Sequence, residues 1–211
     1  MVGVKEYQDA KEYEEAVSLS PRYLYDLCKK YDGMPYEEGT YPRIAMKVLA
    51  KYGVSPEICW PYRPHQTDTH SPDADKKARI YRIKAYARLS AVSEMKRSLL
   101  VNGPFLAGLE VYESWFTNNV KKRGLIPLPG KNESYQGGHA VCIVGYDDDR
   151  KLFKFKNSWG AIWGNRGYGY LPYDYMKRYC VDAWSATDLI LSPKLIVKKR
   201  EEVIVKYNKP I

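Results

Sequence analysis

Apolar positions at the start of the chain recur at steps of three and four: Val2, Val4, Tyr7, Ala10, Tyr13 and Val17, with charged residues between them. That period predicts an amphipathic helix over residues 1–17. No Ser, Asp or Asn stands ahead of it to satisfy the free amides of a first turn, so the expectation is a helix cut in its middle. In SPRYLYDLCKKYDG, Ser20 is the cap, Pro21 opens the first turn and Gly33 is the stop. YPRIAMKVLAKYG repeats the pattern from Tyr41 to Gly53, with Ala45, Val48 and Leu49 facing inward.

After the polar loop PEICWPYRPHQTDTHSPDAD the texture changes. Ile80, Ile83, Tyr86 and Leu89 in ARIYRIKAYARL keep no helical period and read as a strand with a bulge. SAVSEMKRSLLVNG reads as a helix capped by Ser90 or Ser93. Strands follow in PFLAGLEVY, HAVCIVGYD, KLFKFKNS and GYGYLPY, two of them joined by the acidic turn DDDR. Helices first and antiparallel strands afterwards make the chain α+β. The expected units are a helical lobe over 1–70, a sheet lobe over 71–190 and an extension over 191–211 that adds a strand or strap.

At 211 residues with 45% hydrophobic and 28% charged content, the chain is long enough to bury a core, in one large domain or two small lobes. The 34 Lys and Arg against 25 Asp and Glu give a net charge of +9. The bases are dispersed, and the dense run Lys198–Arg200 is followed at once by Glu201 and Glu202. With neither a basic stripe nor a nucleic-acid motif, no nucleic-acid partner is expected. No apolar run approaches the length of a membrane span and no cleavable leader opens the chain, so no membrane partner is expected. The four cysteines form no CxxC pair, so no metal and no cofactor is expected.

Of three histidines, His65 and His70 lie in the polar loop and read as solvated. His139 follows two glycines, which permit close approach of a substrate, and opens a nearly continuous apolar strand. Taken alone it reads more readily as a core-edge histidine satisfied by hydrogen bonds. Asn157 changes that reading: an antiparallel hairpin through DDDR returns it to the level of His139, close to register. A carboxamide oxygen accepting from one ring nitrogen fixes the imidazole, leaving the other to take a proton from a nucleophile. Trp159 in NSWG is placed to shield that bond from water. An orienting Asn rather than Asp suits a thiolate–imidazolium pair, so the arrangement asks for a cysteine.

The stretch GGHAVCIVGYDDDRKLFKFKNSWGAIWGNRGYGYLPY resembles the His and Asn region of papain-family cysteine peptidases. The resemblance extends more loosely through SPRYLYDLCKK, EEGTYPRIAMKVLAKYGV and CWPY, over roughly residues 1–185. It implies a two-lobed papain-like fold whose C-terminal lobe is an antiparallel, barrel-like sheet. It also implies a peptide or protein substrate and thiolate acyl transfer, with His139 as base then acid and Asn157 as its orienter. Gly39 and Thr40 match the family's substrate-binding glycine pair, with Thr40 narrowing the approach. Pro42, Ala45 and Ala140 match a side-chain pocket, although helix start and helix core are an equal reading of the first two. Gly138 stands where a well-known plant enzyme carries an acidic residue.

In that family the nucleophilic cysteine precedes the histidine by roughly 130–150 residues, between about position 9 and about eleven residues before Met1. Residues 1–9 hold no cysteine, nor the family's upstream glutamine. Cys28 falls at the negative end of its helix, Cys59 lies in a proline-rich loop, and Cys142 and Cys180 read as structural. A Cys28–Cys59 disulfide is left open. Three readings therefore stand: a peptidase whose recorded start is internal, a pseudopeptidase that binds peptides without cleaving them, and a structural protein on the same fold. A cut first helix would leave apolar surface that pairing with a second copy would cover.

Overall fold

A computed structural model describes residues 1–13, 17–63 and 68–188. The extension over 191–211 and His65 lie outside the described residues. Helix α1 (Val2–Tyr13) leads into α2 (Pro21–Tyr31), which Ser20 caps by accepting the Tyr23 amide at 3.0 Å. Helix α3 (Pro42–Lys51) also opens on its proline, and Gly53, at φ +83°, turns the chain after it. A 3₁₀ turn at Glu57–Cys59 and a short α4 (Ala74–Ala78) precede the sheet.

Strands β1 (Ile83–Arg88), β2 (Phe105–Tyr112), β3 (Tyr135–Asp147), β4 (Leu152–Lys156), β5 (Tyr168–Pro172) and β6 (Cys180–Asp188) form one antiparallel sheet in the order β1-β6-β2-β3-β4-β5. Helices α5 (Val92–Val101), α6 (Asn118–Arg123) and α7 (Tyr173–Tyr179) join them. The sheet is open, with β1 and β5 as its edges, so the barrel-like closure expected from the sequence is not formed. The expected bulge in β1 lies between Ile83 and Ala85.

Period-two alternation gives the sheet two cores. Leu106, Cys142 and Ala186 project to the side covered by α1–α3, where they meet Val4, Leu24, Ala45, Met46 and Leu49. Phe105, Leu109, Ile143, Phe153 and Phe155 project to the other side, with Trp115, Met95 and Tyr175. Each fully buried large side chain contributes about 1.5–3 kcal/mol. Gly108 in β2 lets the helical layer close on the sheet, since a Cβ there would lie 3.1 Å from Cγ of Pro42.

Two helices differ from the sequence reading. The buried face of α1 is Val4, Lys5, Gln8 and Asp9, while Tyr7 stays 44% exposed. Lys5 Nζ lies 2.8 Å from Asp9 and 2.7 Å from Asp188, and Gln8 donates to the Ala186 carbonyl at 2.7 Å. Polar groups of β6 thus choose the face, which an apolar count cannot foresee. In α5 neither Ser90 nor Ser93 caps; the Glu94 carboxylate accepts the amides of Ser90 and Ala91, which supplies the backward half of a capping box.

Candidate active site

His139 lies on β3 just past a register shift that sets Val111 opposite Gly137 and Tyr112 opposite Tyr135. Gly137 takes φ +121°, a conformation closed to most side chains, and this turns the strand before the histidine. His139 Nε2 lies 2.8 Å from Asn157 Oδ1, which also accepts the Ser158 amide at 2.8 Å. The backbone amide fixes which end of the carboxamide is oxygen, so Nε2 carries the proton and Nδ1 remains to receive one. Asn157 is buried and its backbone amide donates to the Gly167 carbonyl at 2.9 Å.

Trp159 stacks on the His139 ring with centroids 4.8 Å apart and planes 25° apart. The sequence reading missed two supports. Trp115, fully buried, meets His139 edge-on at 6.2 Å and is held by its Nε1 donating to the Tyr175 hydroxyl at 2.8 Å. Phe116 stacks on the outer face of Trp159 at 5.7 Å. The aromatic pair in ESWF, directly after β2, was the signal available. Burial is the main cause that lowers the His139 pKa; the bond to Asn157 opposes it and the Met1 amino group adds a smaller lowering.

His139 opens onto a cleft of about 1040 Å³ that also takes in Gly39, Thr40, Pro42, Gly138 and Ala140. That volume suits several residues of an extended chain better than a single small molecule. All the residues singled out from the sequence for binding therefore share one cavity with the histidine, except Ala45, which is sealed in the core. Pro42 is both helix start and cleft wall. The first residue of the chain, Met1, lines the same cleft, and its carbonyl accepts the Val4 amide at 3.1 Å at the opening of α1.

None of the four cysteines lines this cleft. All are free thiols, so Cys28 and Cys59 are not joined. Burial pushes the Cys28 thiol up to about 12 and the Cys180 thiol up to about 11, and raises Cys142 as well, which keeps each protonated near neutrality. His70 packs edge-on between Tyr23 and Trp60, away from the cleft. Among the described residues no cluster of His, Cys, Asp and Glu could hold a metal ion, and no helix is long and apolar enough to cross a membrane.

The sequence model of the papain family cysteine proteases matches residues 2–183. An uncharacterized peptidase C1-like protein of Acanthamoeba polyphaga mimivirus is 34% identical over 74% of this chain and 55% of its own length. Cathepsin C of Schistosoma mansoni is 30% identical over 74% of this chain and 37% of its own. The chain thus spans about half, or less, of the curated relatives it matches. Among solved structures, xylellain, a cysteine protease from Xylella fastidiosa, superposes with a TM-score of 0.81 at 32% identity, covering 89% of this chain and 77% of that one.

Proposed function

The chain belongs to the papain family of cysteine proteases, and from that premise we propose that its cleft binds an extended peptide for acyl transfer to a thiolate at the first turn of α1. His139 takes the thiol proton on Nδ1 and later gives it to the leaving amine, while Asn157 holds the ring and stabilises the imidazolium. The observation that carries this reading is the 2.8 Å contact between His139 Nε2 and Asn157 Oδ1, with Trp159 stacked on the same ring. Both groups leave the other ring nitrogen facing a nucleophile.

Met1, at the opening of α1, lines the same cleft as His139, and we infer that the nucleophile would stand near it; a methionine thioether can neither ionise nor attack a carbonyl. The helical unit over 1–70 and the sheet unit over 71–190 supply the two walls of the cleft. Family spacing leaves the cysteine a window from about position 9 to about eleven residues before Met1, and Met1's place in the cleft favours the opening of α1 within it. The pseudopeptidase reading shares this binding chemistry and differs only in whether a thiol ever stands there.

The experiment is to place Met1→Cys behind a short Gly-Ser leader and follow hydrolysis of a fluorogenic peptide. Turnover that disappears with His139→Ala supports acyl transfer. A folded, peptide-binding Met1→Cys chain with no turnover supports the binding-only reading, and a chain that binds no peptide excludes both.

A further inference from the structure

The loop over residues 32–40 joins α2 to α3 and forms one wall of the cleft through Met34, Glu37, Glu38, Gly39 and Thr40. It fully buries no apolar side chain of its own: Pro35, Glu37 and Glu38 are exposed and Tyr36 is 99% exposed. Hydrophobic burial therefore does not hold it, and a nine-residue loop left to itself would sample many shapes. Its fixed points are polar and converge on one atom. Lys29 Nζ, at the end of α2, donates to the carbonyls of Met34 at 2.6 Å, Glu37 at 2.8 Å and Gly39 at 3.1 Å, and lies 2.9 Å from Asp32 Oδ2.

An ammonium has three protons and no acceptor, so it gathers carbonyl oxygens much as a bound cation would. The Asp32 carboxylate neutralises it, and its other oxygen accepts the Met34 amide at 2.9 Å. A second tether comes from Tyr25, whose hydroxyl accepts the Gly39 amide at 3.1 Å. Both backbone groups of Gly39 are thus used inside the protein. Thr40, the next residue along the wall, enters no backbone–backbone hydrogen bond among the described residues. Backbone polar groups at such a site seek partners, and an extended peptide supplies them.

We propose that Lys29 is the positioning residue of this wall: its ammonium gathers loop 32–40, spends the Gly39 carbonyl internally and presents the Thr40 backbone to an extended peptide. The inference rests on the peptide-cleft reading above. Neutral Lys29→Met keeps the length of the side chain and removes the cation. With a capped hexapeptide of alternating Phe and Gly as probe, calorimetry should give a Kd raised roughly tenfold, about 1.4 kcal/mol. The amides of Met34 and of residues 36–40 should exchange hydrogen faster while those of β3 and β4 do not change. A merely stabilising lysine would instead lower the melting temperature, speed exchange throughout α2 and the sheet, and leave the Kd of the folded fraction unaltered.

Should Lys29→Met not fold, Lys29→Gln, which retains one donor group, faces the same two measurements with the same direction expected. Unchanged affinity, or unchanged exchange over 34–40, overturns the inference while the unaltered chain still binds the probe. Failure of the unaltered chain to bind overturns the peptide-cleft reading, and this inference with it.

Discussion

His139 and Asn157 touch because β3 carries one extra residue. Leu152 to Lys154 pair with Asp147 to Gly145, but Phe155 pairs with Ile143 and Lys156 with Cys142, leaving Val144 as the bulge. Continued past Lys156, this register sets Asn157 at the level of Val141, on the same face of β3 as His139 and two residues from it. Without the bulge it would fall level with Cys142, whose side chain points to the opposite face. The diagonal distance is one that a histidine and an asparagine can bridge.

Asn157→Ala should lower the His139 pKa further. The Asn157 oxygen stabilises the protonated ring and so opposes burial. Titrating the imidazole protons by NMR in both chains checks this, and an upward move would contradict it.

Trp159→Ala should move the same pKa the other way. Burial is the leading cause of the lowered value, and the stacked indole supplies part of that burial. Admitting water to the ring favours its charged form. The two variants therefore separate the hydrogen bond from the desolvation by the sign of their effect.

Stability should fall as pH drops below about 6.5, the ordinary histidine value from which folded His139 is lowered. In that window the unfolded chain takes up the proton first, so stability is lost until the folded pKa is passed. His139→Gln should show a shallower slope over the same range in urea titrations at stepped pH. Equal slopes would mean that His139 is not held neutral by the fold.

Lys5→Met should cost about 3–5 kcal/mol, the usual loss when a buried ion pair is broken from one side. Its ammonium sits 2.8 Å from Asp9 and 2.7 Å from Asp188, all three side chains being almost fully buried. Urea unfolding measures the loss, and a change under about 1 kcal/mol would show that the triad is not a tie between α1 and β6.

Helices α2 and α3 were legible because Ser20, Pro21, Pro42 and the closing glycines mark their ends by local chemistry. The His139–Asn157 pairing was legible from the hairpin, although the sequence placed the two close to register and the bulge at Val144 is what puts them on one face. A bulge leaves little trace in the alternation of side chains. The buried face of α1 was illegible because its partners, Asp188 and the Ala186 carbonyl, lie more than 170 residues away. The open sheet was missed because strand composition does not reveal whether edges β1 and β5 meet. Lys29 reads as an ordinary helix-end lysine until the loop is seen folded over it.

The most direct measurement is the thiol titration of leader-bearing Met1→Cys, followed by thiolate absorbance, with and without His139→Ala. If the first turn of α1 delivers a nucleophile to His139, that thiol ionises well below the ordinary value of about 8.5, and the substitution returns it there. A thiol that titrates in the ordinary range in both chains would contradict the pairing of position 1 with His139.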